Sequence, residues 1–156
     1  MSCDVAAAAA LYLAFVTPSM DETSLRQPAA LFAVRTGANP LSREPLYADI
    51  IRRARSLRAS VDQMRSQDRP DAASLLQAPV SALSALDMKA HLDLAARGTD
   101  GDLKCILKGI SQDLPAKLAK LSEAADLTAR RSVLEEMSYL LRDNIEVITA
   151  PPQPAA

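Results

Sequence analysis

The sequence predicts an all-α protein, an antiparallel helical bundle of four main helices with one or two additional N-terminal helices. Three observations predict it. Apolar residues make up 49% of the chain and are carried by Ala and Leu, with no Trp, three Tyr and two Phe; Ala and Leu lead the helix-propensity order, whereas strand formers are sparse. Four glycines punctuate 156 residues, which leaves long uninterrupted stretches. Within those stretches apolar positions recur at spacings of three and four, and prolines and capping residues fall between them. A chain of this length buries one hydrophobic core and is short for two, so residues 1–150 read as a single helical domain. The Pro/Ala-rich tail 151–156, APPQPAA with the preceding Ala, cannot extend a helix and reads as disordered.

The opening MSCDVAAAAALYLAFVTPS contains a continuous apolar run, Val5 to Val16, of the length of an export-signal core. Such a signal needs a positive leading region, and the only charge here is Asp4. The run is also shorter than the roughly 20 residues of a membrane span. It reads as a buried first helix from about Asp4 to Val16. A short second helix is expected from near Pro28 through AALFAVR to Gly37, a good C-terminal residue with Asn39 and Pro40 behind it. Residues 17–27 between them fit either loop or a weak helical turn.

The first main helix is expected near 43–68. Ser42 can cap it, Pro45 sits in its first turn, and Leu46, Ile50, Ala54, Leu57, Val61 and Met64 fall on one arc. The second, near 71–97, is either one helix kinked at Pro79 or two helices meeting there. Its main stripe is Leu76, Val80, Leu83, Leu86, Ala90 and Leu94, and a second stripe of Ala85, Met88, Leu92 and Ala95 lies nearly opposite. A helix apolar on two sides is central or sits at an interface. Gly98 ends it. The third, near 101–124, follows a TDGD turn and carries Leu103, Ile106, Leu107, Ile110 and Leu114 on one face, with Asp113 and Pro115 suggesting a kink before Leu118 and Leu121. Asp126 opens the fourth, near 127–149, where Leu127, Leu134, Leu141 and Ile148 recur every seventh residue, Met137 and Asn144 hold the intermediate positions, and Val133, Leu140 and Val147 lie beside them.

Function is read from what remains on these helices. The formal net charge of −1 gives no global field toward nucleic acid or an acidic membrane. The stretch IIRRARSLRASVDQMR, Ile50 to Arg65, holds five arginines, but Arg52 and Arg55 point away from the apolar arc while Arg53, Arg58 and Arg65 flank it, with Asp49 and Asp62 among them. A nucleic-acid surface concentrates its basic residues on one docking face and single-strand binders add stacking aromatics, none of which occurs between Tyr47 and Tyr139. A solvated face with intramolecular ion pairs is the first reading, an acidic protein partner the second, and a nucleic-acid-associated role for Arg52–Arg69 the alternative.

His91 is the sole histidine. Phosphotransfer from a bundle histidine needs an exposed ring with a neighbouring cation; the His-x-x-Lys-Gly pattern is absent, because Leu94 and Ala95 stand at those positions. A boundary histidine is expected, and a phosphotransfer-like signalling module through His91 is the third reading of function. The acidic residues Asp93, Asp100 and Asp102 are too few and too irregular for a calcium loop. No Gly-x-Ser-x-Gly, phosphate-cradling glycine loop or His-Glu-x-x-His occurs, so no enzyme activity, cofactor, metal or small-molecule substrate is inferred. Cys3 and Cys105 do not make a disulfide framework and fit a reducing cytoplasm; the Ala-rich, Arg-over-Lys usage is that of a GC-rich bacterial coding sequence. The expected function is protein–protein contact, as an adaptor, assembly factor or regulator, with another protein or with a second copy. The residues expected to carry it are Arg52, Arg55, Met88, Leu92, Leu134, Leu141 and Asn144.

Overall fold

In the computed structural model, which describes residues 38–99 and 101–150, four helices follow a single 3-10 turn. The turn is Pro40–Arg43; α1 is Pro45–Ser66, α2 Ala72–Arg97, α3 Gly101–Glu123 and α4 Leu127–Thr149. These lie within one unit, Gly37–Ala156. The two expected N-terminal helices, the expected tail and Asp100 lie outside the described residues.

The helix ends follow from local chemistry. Pro45 disfavours helical backbone at the residue before it, and Glu44, with no preceding helical turn to hold it, sits at φ −70°, ψ 141°. The helix therefore starts at Pro45, and Ser42 does not cap it. Ser42 belongs to the preceding turn, where its Oγ donates to the Asn39 carbonyl at 2.6 Å, while the Asn39 Oδ1 accepts from the Leu41 amide at 3.1 Å. Gly98 ends α2 in left-handed backbone, φ 66°, and the amides of Gly98 and Thr99 return to the carbonyls of Ala95 and Leu94. Asp126 caps α4, accepting from the Ala129 amide at 2.8 Å. Pro79 and Pro115 each lie inside a helix that continues through them. Each removes one backbone hydrogen bond, at a cost of about 3 kcal/mol in an isolated helix, and the apolar packing on both sides of each proline holds the helix together.

The helices form an antiparallel bundle in which α2 packs most extensively on α3 and α1 on α4, with α3 against α4 and α1 against α2 closing the square. The diagonal pairs do not approach closely. The interior is built from heptad-spaced rows: Tyr47, Ile50, Ala54, Leu57 and Val61 from α1, Leu76, Val80, Leu83, Ala90 and Leu94 from α2, Leu107, Ile110, Leu114 and Leu121 from α3, and Leu134, Met137, Leu141 and Ile148 from α4. Two polar side chains sit in these rows, Asp87 and Asn144, both with no exposed surface. The expected face of α3 loses Ile106, which is 40% exposed, and Leu86 in α2 is only half-buried, because the inward position in that turn belongs to Asp87.

Candidate functional site

The α1 arginines are largely neutralised by their own helix. Asp49 takes both Arg52 and Arg53, and Asp62 lies 3.8 Å from both Arg58 and Arg65. Arg58 also donates from Nε to the Ser138 hydroxyl on α4 at 3.4 Å. Arg55 is exposed and makes no ion pair among the described residues. Arg52 and Arg55 flank a shallow recess of about 400 Å3 floored by Ile51. Exposed ion pairs of this kind contribute little stability, about 0–1 kcal/mol each. They do, however, spend the positive charge that a nucleic-acid backbone would need.

The α2 helix behaves differently. Its inner stripe is fully enclosed, while on its outer side Leu92 is 60% exposed, Met88 is half-buried and Ala85 and Ala95 are exposed. At the level of Leu92 the His91 Nδ1 donates to the Lys104 carbonyl of α3 at 2.8 Å, which fixes the ring as a clasp between the two helices. Further along the same α2–α3 face, where the side chains are small, a recess of about 680 Å3 opens between Ser74, Gln77 and Ser81 of α2 and Pro115, Leu118 and Ser122 of α3. Arg130 borders this recess but is already paired with Asp68 at 2.9 Å.

The remaining sequence-predicted residues are turned inward. Leu134 is 3% exposed, and Leu141 and Asn144 have no exposed surface; the seam expected of the last helix is therefore part of this subunit's own core and is not on its surface. Val133, Leu140, Ile145 and Val147 pack half-buried against that core. The structure thus brings Met88 and Leu92 together on one face, sets Arg52 and Arg55 on another helix, and separates both from Leu134, Leu141 and Asn144.

Two polar clusters escaped sequence reasoning. At one end of the bundle the Tyr47 hydroxyl donates to Asp93 Oδ2 at 2.8 Å, and Arg97 bridges Asp93 and Glu44 at 2.9 and 2.7 Å. Burial, then the bond to Asp93, raises the Tyr47 pKa; the hydrogen bond from Arg97 holds Glu44 below its usual range. In the interior, Asn144 Nδ2 donates to Asp87 Oδ2 at 2.7 Å. Burial pushes the Asp87 carboxyl up to about 7, against the opposing pull of that hydrogen bond. A signal for this second pair exists in the sequence: the ladder Leu76, Val80, Leu83, Asp87, Ala90, Leu94 has one polar rung, and Leu134, Met137, Leu141, Asn144, Ile148 has another.

Cys105 on α3 is disulfide-bonded, at odds with the expectation of thiols in a reducing compartment, and redox state no longer argues for the cytoplasm. Among the described residues no helix is long and apolar enough to cross a membrane, and no three His, Cys, Asp or Glu side chains gather where they could hold a metal. Comparison of the chain with protein-family models, with curated proteins and with solved structures finds no match.

Proposed function

We propose that this chain is a non-enzymatic helical protein that acts by contact with another protein, as an adaptor, assembly factor or regulator, through the outer face of α2 around Leu92. The observation that carries this reading is the two-sidedness of α2: one stripe is spent on the core, yet Leu92 remains 60% exposed beside half-buried Met88. An exposed leucine alone is ordinary. A leucine and a methionine one helical turn apart, on a helix already satisfied on its other side, form the kind of apolar centre that interfaces bury, and methionine adapts its shape to the surface it meets. Arg55, which makes no ion pair among the described residues, supplies a charge that can steer an acidic partner. The nucleic-acid alternative draws less support, because four of the five arginines between Ile50 and Arg65 have acidic neighbours within ion-pair distance. A phosphotransfer role for His91 draws less again, since Nδ1 is engaged by the Lys104 carbonyl.

The test is capture from the native extract with the wild-type chain and with Leu92→Glu, alongside light scattering on both. A partner band, or a dimer mass, that is present with wild type and absent with Leu92→Glu supports the reading. Equal capture by the two proteins, each monomeric, removes Leu92 from the interface.

A further inference from the structure

We propose that Asp87 and Asn144 form a proton-linked latch across the bundle, in which the native pair is a neutral carboxylic acid bound to an amide and loss of the proton loosens α2 from α4. The helices α2 and α4 occupy diagonal corners and do not approach closely through their backbones. Among the described residues, the bond from Asn144 Nδ2 to Asp87 Oδ2, 2.7 Å, is the hydrogen bond that joins them. Both residues are fully enclosed.

The inventory of donors and acceptors is what points to the proton. A carboxylate only accepts, and a primary amide offers two donors and one acceptor oxygen. After the single bond is made, Asp87 Oδ1 and Asn144 Oδ1 both remain buried without a hydrogen-bond partner among the described residues. Two unpaired acceptors in a protein interior are costly, and a buried charge without a counter-ion is costlier. One proton on Asp87 Oδ1 removes all three problems at once: the charge disappears, the carboxyl gains a donor, and that O–H can be given to Asn144 Oδ1, so that acid and amide pair reciprocally.

Among the described residues no cation is positioned to offer another solution. The inward rows of α1 and α3 are Tyr47, Ile50, Ala54, Leu57 and Val61, and Leu103, Leu107, Ile110 and Leu114; Tyr47 is the one titratable group among them, and its hydroxyl is held by Asp93. The inward row of α4 contributes Asn144 with apolar neighbours and Ser138. The influences acting on the Asp87 carboxyl are accordingly burial, which raises its pKa to about 7, and the Asn144 bond.

The sign of the linkage follows. A carboxyl whose folded pKa stands above its unfolded value, about 3.9, adds stability that is complete at low pH and is lost as pH rises toward the folded value near 7. The Asp87 contribution is then complete below about pH 4, falls as the pH rises from about 4 to about 7, and is gone above that.

The experiment uses the full chain. Carboxyl 13C NMR across pH 3–9 follows the Asp87 resonance, identified by its disappearance in Asp87→Asn, and urea unfolding is measured at pH 5.5 and pH 8.5. The expected results are a titration midpoint at least two pH units above that of the exposed aspartates, a wild-type urea midpoint that falls between the two pH values, and an Asp87→Asn midpoint that falls less, His91 being common to both proteins. Should Asp87→Asn fail to fold, the double variant Asp87→Leu/Asn144→Leu, which completes both apolar rows, serves the same two purposes: the missing resonance identifies Asp87, and the variant's urea midpoint falls less than that of wild type between the two pH values. An Asp87 resonance that titrates with the exposed aspartates overturns the proposal, as does an equal loss of stability in wild type and Asp87→Asn.

Discussion

Leu92 and Leu141 are alike in chemistry and opposite in placement, and truncating each separates surface from core. Leu141 has no exposed surface, so Leu141→Ala withdraws three buried carbons, about 2.4 kcal/mol at roughly 0.8 kcal/mol per group, and the cavity left behind brings the loss to about 2.5–5 kcal/mol. A domain of this size has about 5–15 kcal/mol in total, so the loss is a large fraction of it. Leu92 is 60% exposed, and the part that folding hides is worth roughly 1 kcal/mol or less. Urea unfolding followed by circular dichroism at 222 nm reads both. With a slope of about 2 kcal/mol per molar, Leu141→Ala lowers the midpoint by roughly 1–2.5 M, while Leu92→Ser moves it by less than about 0.5 M. Unchanged slopes in both variants show that the comparison is of stability and not of denatured-state compactness. A Leu92→Ser protein as destabilised as Leu141→Ala would refute the reasoning, because Leu92 would then be enclosed and the surplus apolar surface on α2 would not exist.

Three further outcomes follow from the same placements. Tyr47→Phe removes the bond to Asp93, which keeps Arg97 and solvent as partners, so the cost is about 1–2 kcal/mol; a double-mutant cycle with Asp93→Ala measures how much of it belongs to the pair, and additive costs would dismiss the coupling. Gly98→Ala meets no neighbouring atom but keeps a left-handed φ of 66°, costing about 1 kcal/mol of backbone strain and lowering the melting temperature by about 4 °C, whereas an unchanged melting temperature would show that the α2 cap is not held in that conformation. Glu44, Asp71 and Glu136 are held below their usual ranges by hydrogen bonds from Arg97, Arg69 and Lys117; their contribution is present above the ordinary carboxylate range and is lost as pH falls through the folded values, so urea midpoints decline on the acid side, and Lys117→Gln makes that decline shallower.

The four main helices were legible because each carries its own evidence: heptad spacing, a terminal glycine at Gly98, a capping aspartate at Asp126. Pro79 and Pro115 left the continuity of α2 and α3 open, since a proline's local cost is visible in a sequence and the tertiary packing that outweighs it is not. Ser42 looked like a cap because its residue type is right; the restriction that Pro45 places on Glu44 decided otherwise. The candidate site was only partly legible. Periodicity shows that α4 has an apolar column but not whether the surface that covers it comes from the same chain, which is why Leu134, Leu141 and Asn144 were grouped with Leu92 and turned out to face inward. Asp87 was passed over for Leu86 as the inward residue of its turn, because an apolar side chain one position away is the better bet whenever a buried carboxylate has no partner nearby in sequence. Its partner, Asn144, is 57 residues away.

The most direct test of a docking surface on α2 is photo-crosslinking in the cells that make the protein, with a photoreactive residue placed singly at position 92, at position 88 and, as a surface control, at the exposed position 131. Contact through α2 yields one discrete adduct of the same mass from positions 92 and 88, a second copy or another protein, and none from position 131. Absence of any adduct at 92 and 88, or the same pattern at all three positions, contradicts it.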